Sequence, residues 1–221
     1  MAGQSPFRQG KRIVKIEPYE QHAGEYDDWF SRNRFAYESE LQAVRMLLPK
    51  GGTGIEIGVG TGRFAGELGI PLGVEPSPSM RKIARERGIT VIGGIAETLP
   101  LRDGRFDFAL MVTVLCFFDD AEGALREACR ILAPTGSLVL AFIDRDSPVG
   151  KTYEERKSEN LFYRNATFYT AAEVATLLGN TGFRTLSFHQ TIFHAPGGMS
   201  KVDPIRKGHG DGCFVVVRAD K

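Results

Sequence analysis

The chain has 221 residues, of which 42% are hydrophobic, and its 28 basic and 27 acidic side chains leave a formal charge of +1. That length suits one α/β domain with a packed core rather than two, and the charge balance argues against nucleic acid as a partner. Cys116, Cys129 and Cys213 are an odd number without C-x-x-C spacing, which argues against a disulfide framework or a zinc site and favours a reducing cytoplasm.

Residues 1–18 are expected to be a flexible leader and residues 19–50 a helical cap carrying Tyr26, Trp29 and Phe30. The stretch from Thr53 to Phe64 reads as a short apolar strand that ends in an acid, Glu56, and runs into Gly58, Gly60 and Gly62. Glycines there let the backbone turn sharply and approach a ligand, with free N–H groups of the next helix pointing at it. A dinucleotide fingerprint, G-x-G-x-x-G, would need glycine where Arg63 stands, and there is no Gly-Lys-Ser/Thr ending of a phosphate loop.

A second strand over residues 72–75 ends in Glu75, whose carboxylate can accept both hydroxyls of a ribose. Ser77 is placed to cap a helix whose first residue is Pro78 and whose inner face carries Met80, Ile83 and Ala84, ending near Gly88. Residues 90–92 form a third strand, and residues 106–114 a fourth, near-continuously apolar as in a parallel sheet covered on both faces. Asp120 caps a helix with Ala124, Leu125, Ala128 and Ile131 at helical spacing. A turn at residues 133–136 then leads to a fifth strand over residues 137–143.

This alternation predicts a parallel, doubly wound sheet with right-handed crossovers. Further on, Thr170-Ala171-Ala172-Glu173 has capping-box form. Residues 183–193 and 213–217 read as two strands with no helix between them, hence antiparallel. Residues 19–35, 147–169 and 194–212 fall outside the core as long connections, which are uncommon in a compact domain unless functional or disordered.

The order Glu56-x-Gly58-x-Gly60-x-Gly62 resembles motif I of the class I S-adenosylmethionine-dependent methyltransferases, most closely their type 11, small-molecule group. Two later stretches also resemble the family: residues 93–100 its Gly-Asp-Ala-Glu-x-Leu-Pro segment, and residues 132–136 its Leu-x-Pro-Gly-Gly turn, with Thr135 replacing a glycine. The resemblance implies a Rossmann-like α/β fold with a seven-stranded sheet in order 3-2-1-4-5-7-6, its last strand antiparallel and helices on both faces. It further implies one domain over residues 1–221, with a cofactor-binding core at 51–143 and a C-terminal part with acceptor-side loops at 144–221.

By the same resemblance, Glu56, Gly58, Gly60 and Gly62 would take the methionine end of S-adenosylmethionine. Glu75, with Pro76 and Met80 beside it, would take the ribose, Ala96 and Glu97 the adenine side, and Thr113 to Phe117 the floor near the methyl group. Ile95 stands where the family often has Asp, so adenine would be held by Glu97, by a backbone carbonyl or, as favoured here, by apolar packing. Tyr26, Trp29, Phe117 and Phe162 are candidates for acceptor contact, Asp119 is the candidate base, and no metal is expected.

The expected activity is in-line methyl transfer to a small-molecule acceptor, leaving S-adenosylhomocysteine and needing alignment and a water-poor site more than a nucleophile. A non-catalytic module binding either adenosyl compound is the alternative. A nucleotide-dependent oxidoreductase is disfavoured by Arg63. No run approaches the ~20 apolar residues of a membrane helix, and the residues around Lys11 and Lys15 lack a signal-peptide core.

Overall fold

The computed structural model describes residues 10–221, with side chains from Lys15 onward. Three helices lead the chain: α1 (Gly10–Gln21), α2 (Ala23–Arg32) and α3 (Arg34–Leu47). The core follows as β1 (Gly54–Ile57), α4 (Arg63–Leu68), β2 (Leu72–Glu75), α5 (Pro78–Glu86), β3 (Thr90–Gly93), β4 (Phe106–Val112), α6 (Ala121–Ile131) and β5 (Leu132–Ile143). The remainder is α7 (Pro148–Arg156), α8 (Ala171–Asn180), β6 (Thr185–Thr191), β7 (Arg206–Lys207) and β8 (Phe214–Asp220).

The strands form one sheet in the order β3-β2-β1-β4-β5-β8-β6-β7. From β1 to β5 all pairings are parallel, while β8 runs antiparallel to both β5 and β6. Alternate residues of the central strands feed opposite layers: Leu110 and Val112 pack with α2, α3 and α4, whereas Ala109 and Met111 pack with α6 and α8. The switch point lies where β2 and β4 leave β1 in opposite directions, which puts a crevice at the carboxyl ends of these strands.

Local chemistry sets several boundaries. Ser77 Oγ accepts the Met80 N–H at 3.2 Å and Asp120 Oδ1 the Gly123 N–H at 2.8 Å. At α8 both bonds of the capping box form, Glu173 N–H to Thr170 Oγ1 and Thr170 N–H to Glu173 Oε2.

Several expectations are corrected. The sheet has eight strands, not seven, because Arg206 and Lys207 pair with the outer edge of β6; two exposed residues in a glycine-rich stretch carry no alternation to read. β5 begins at Leu132 rather than residue 137, since Leu132 pairs with Phe106 across an irregularity before the regular ladder resumes. β4 stops at Val112, and Thr113 turns away with φ 51°. The segment 147–169 is not all loop: Ser147 Oγ accepts the Gly150 N–H at 3.0 Å and Pro148 opens α7. Of the expected leader, residues 1–9 lie outside the described residues and residues 10–18 belong to α1.

Candidate functional site

The glycine loop folds back over the end of β2, where the N–H groups of Gly58 and Val59 both donate to the Val74 carbonyl, at 2.8 and 3.1 Å. Gly58, Gly60 and Gly62 all have positive φ, 73°, 54° and 82°, a conformation open to glycine at little cost. Their surroundings differ. A Cβ on Gly58 would lie 2.6 Å from Val114 Cγ1, and one on Gly62 would overlap Ile89, whereas Gly60 has nothing nearer than Tyr26 Cε1 at 3.8 Å. Gly60 therefore leaves the space, and the other two permit the loop to pack.

Beside Gly60 opens a cleft that encloses ≈ 940 Å³ of non-atom space, open solvent included. Glu75, at the end of β2, is 7% exposed and lines it. Its Oε2 accepts the Gly60 N–H at 3.0 Å and its Oε1 the Ser77 N–H at 2.9 Å. Burial pushes this carboxyl up to about 7, and the two N–H donors pull it back only in part. Pro76, Met80, Ala96, Glu97, Thr113 and Phe117 line the same cleft, as do Ile95 and Phe118.

Two expected cofactor residues do not reach the cleft surface. Gly62 serves as the left-handed cap of α4. Glu56 is 2% exposed, and its Oε2 has no hydrogen-bond partner among the described residues. Burial drives its carboxyl well above the usual range. Asp119, the candidate base, lines the cleft in an ion pair with Lys15 Nζ at 2.9 Å, while its N–H donates to Glu97 Oε1 at 3.0 Å.

Sequence reasoning expected a helical cap from residue 19 onward and missed the part of the cover that precedes it. Lys15, Ile16 and Tyr19 of α1 lie across the cleft, and Glu20 pins this helix to the start of α5 by accepting the Ser79 N–H at 3.0 Å and the Ser79 hydroxyl at 2.8 Å. A second clamp holds α2. Asp27 Oδ2 accepts from Arg63 at 2.6 Å and from Arg87 at 2.7 Å. Partial burial would raise the Asp27 carboxyl, yet the two guanidiniums hold it at about 2. Arg63, the residue that breaks the dinucleotide fingerprint, thus ties the cap to the glycine loop.

A second cavity, enclosing ≈ 750 Å³ of non-atom space with open solvent included, adjoins the first, and Tyr26, Thr113 and Tyr163 line both. Its wall is aromatic: Trp29, Phe30, Phe64, Tyr153, Phe162 and Phe214 surround it. Tyr26 and Phe162 meet edge to face at 5.6 Å between ring centroids. Three of the four expected acceptor residues are here; Phe117 lies in the first cavity, stacked on Tyr163 at 6.0 Å. Thr113 and Ile192, both on this wall, hold φ of 51° and 61°. Such values are strained for β-branched residues and cluster at working sites.

The same cavity contains Glu40, which the sequence reading passed over. A signal was available. Ala36, Glu40, Ala43, Val44 and Leu47 fall on one stripe of α3 at 3- and 4-residue spacing, and all but Glu40 are buried apolar residues. An acid in phase with an apolar stripe is a group held inside for a reason. Cys116, by contrast, is 8% exposed and burial pushes its thiol up to about 12, which leaves it inert. Among the described residues no cluster of His, Cys, Asp and Glu could hold a metal ion, and no helix is long and apolar enough to cross a membrane.

Comparison with known proteins agrees with this geometry. The methyltransferase-domain family of type 11 matches residues 55–140. A crystal structure from Thermotoga maritima, described as an S-adenosylmethionine-dependent methyltransferase and possible histamine N-methyltransferase, is 50% identical with a TM-score of 0.91, over 94% of this chain and 99% of that one. An uncharacterized protein of Methanocaldococcus jannaschii is 44% identical over 203 residues, 92% of this chain and 98% of that one. The fold alone is shared with a Haemonchus contortus phosphoethanolamine methyltransferase solved with S-adenosylhomocysteine, at 15% identity and a TM-score of 0.70, over 98% of this chain and 61% of that one.

Proposed function

The chain belongs to the class I S-adenosylmethionine-dependent methyltransferases, and on that premise we propose that it transfers a methyl group from S-adenosylmethionine to a small molecule bound beside it. The observation that carries the reading is the pair of adjoining cavities with Thr113, Tyr26 and Tyr163 as their common wall. One cavity has the acid and backbone donors for an adenosyl ligand, and the other has room for an acceptor.

When bound, S-adenosylmethionine supplies an electrophilic methyl group on a sulfonium sulfur. Glu75 would accept the two ribose hydroxyls, exchanging its present bonds to Gly60 and Ser77 for charge-assisted ones. Gly60 leaves space for the methionine part. Glu56 lies behind the loop and off the cleft surface, so it would meet the ligand ammonium only once the backbone at Gly58 and Gly60 shifts. Met80, Ile95 and Ala96 would hold adenine by apolar contact, with Ile95 in place of an acidic partner. Thr113 and Phe117 would form the floor under the reacting group, and the α1 cover would exclude water.

Calorimetric titration with S-adenosylhomocysteine, with NADH as control, tests the reading. Saturable micromolar binding of the adenosyl ligand alone is expected. Glu75→Ala should weaken it by about 1–3 kcal/mol, the worth of the lost charge-assisted bonds, with the fold retained. Because ribose hydroxyls favour the ionised acid, affinity for the adenosyl ligand should also fall as pH drops below about 7, and Glu75→Gln should flatten that dependence. Binding of NADH without the adenosyl compound would overturn the assignment.

A further inference from the structure

Glu40 sits in an unusual place for a carboxylic acid. It lines a cavity walled by Tyr26, Trp29, Tyr153, Phe162 and Tyr163, and no hydrogen bond or ion pair engages its side chain among the described residues. It keeps partial accessibility on a helix face otherwise turned to the core, so what it faces is the cavity. An acid left unpaired in apolar surroundings costs stability unless something compensates when the site is in use.

We propose that this second cavity is the acceptor site and that the acceptor is a small amine, its ammonium group paired with the Glu40 carboxylate and its body packed among the aromatic rings. The inference rests on the methyltransferase reading and adds the chemistry of the acceptor to it. Aromatic rings around a carboxylate suit an ammonium: a ring face attracts a cation and the carboxylate neutralises it. An anionic acceptor would be repelled by Glu40, and a neutral one would leave the acid without a partner.

The neighbouring titratable groups fit this assignment. Tyr26 on α2, Tyr153 on α7, Tyr163 in the following segment and Cys213 before β8 all feel the Glu40 charge. Burial pushes each of them up, so all four are neutral near pH 7, and none can act as counter-ion. Burial alone pushes the Glu40 carboxyl up to about 8. An ammonium beside it favours the ionised form, and the desolvation that raises the carboxyl also lowers the ammonium, which narrows the gap a proton must cross between them.

The proton balance follows. An ammonium nitrogen has no lone pair to attack with, so one N–H proton passes to the Glu40 carboxylate. The freed lone pair forms the new N–C bond as the methyl C–S bond breaks, and the electron pair of that bond stays on sulfur. Glu40 then returns its proton to solvent as product leaves.

The test uses the full chain saturated with S-adenosylhomocysteine and titrated calorimetrically with 2-phenylethylamine and with 2-phenylethanol, which matches it in shape without the charge. The amine is expected to bind at least tenfold more tightly. Glu40→Gln should lose that preference while its affinity for S-adenosylhomocysteine stays at the wild-type value, which also shows that the variant is folded. Glu40→Asp should retain part of the preference. If the adenosyl compound binds but amine and alcohol bind alike, or neither binds, or Glu40→Gln keeps the preference, the amine assignment fails alone. If the wild-type protein does not bind S-adenosylhomocysteine, the methyltransferase reading itself fails.

Discussion

The two cavities are built on opposite plans. The cleft beside Gly60, the proposed cofactor site, takes most of its lining from one continuous stretch, residues 58–119, in which successive strand ends deliver the glycine loop, Glu75, the segment at 94–97 and Thr113 to one edge of the sheet, with α1, Tyr26 and Tyr163 laid across it. The second cavity, the proposed acceptor site, gathers side chains from α2, α3, α7, the segment at 160–163, the stretch after β6 and the start of β8. A cleft assembled from strand ends is a property of the fold, whereas a pocket assembled from distant side chains can change its preference without disturbing the sheet.

That contrast predicts where a single substitution acts. The largest effect is expected on the cofactor side from Gly58→Ala, which combines a positive φ with a Cβ 2.6 Å from Val114. It should cost about 2–4 kcal/mol of stability and remove adenosyl binding, as read by denaturant unfolding and calorimetry. A stable Gly58→Ala protein that binds normally would break the distinction between the two regions.

The acceptor side should behave in the opposite sense, since Glu40 is destabilising where it stands. Its folded-state value of about 8 lies above the unfolded value near 4.3. Between these limits the folded protein holds a proton that the unfolded chain does not, so stability falls as pH rises through the window. The cost is absent below about pH 4 and complete above about pH 8. Glu40→Gln should therefore raise stability at pH 9 by about 2–4 kcal/mol and leave it unchanged at pH 4. Equal melting shifts at both pH values would show that Glu40 is not held protonated by burial.

The smallest effect belongs to the tie between the regions. Asp27→Asn removes the charge that joins α2 to Arg63 and Arg87 and should cost about 1–2 kcal/mol after solvent screening. Because the Asp27 carboxyl is depressed to about 2, its contribution is present above the unfolded value near pH 4 and is lost as pH falls towards 2. The cost of Asp27→Asn should therefore vanish in acid; a cost that persists at pH 2 would assign it to packing instead.

Legibility in the sequence follows the same division. Glu75 at a strand end, Ser77 and Pro78 at a helix start and the box from Thr170 to Glu173 are local patterns, each readable because cause and effect lie within a few residues. Gly62 shows the limit of such patterns: its identity was informative, but only the fold shows it at the left-handed cap of α4, where an added Cβ would meet Ile89 and Ala84. Lys15 and Tyr19 gave no signal of covering the cleft, since nothing in their neighbourhood specifies that α1 lies against α5.

From sequence alone came the α/β class, the strand order of the core and the edge of the sheet where an adenosyl ligand would sit. The class follows from periodicity, caps and glycine spacing, all short-range, whereas the strand order and the ligand edge were implied by the resemblance of those motifs to the family. Only the tertiary structure decided that Glu40 faces Tyr26, Tyr153, Tyr163 and Cys213, groups as far as 173 positions away in the chain. It also decided the edge strand β7 and the α1 cover. The physical reason is that packing, unlike a cap or a turn, is a relation between surfaces that meet only after the chain has closed on itself.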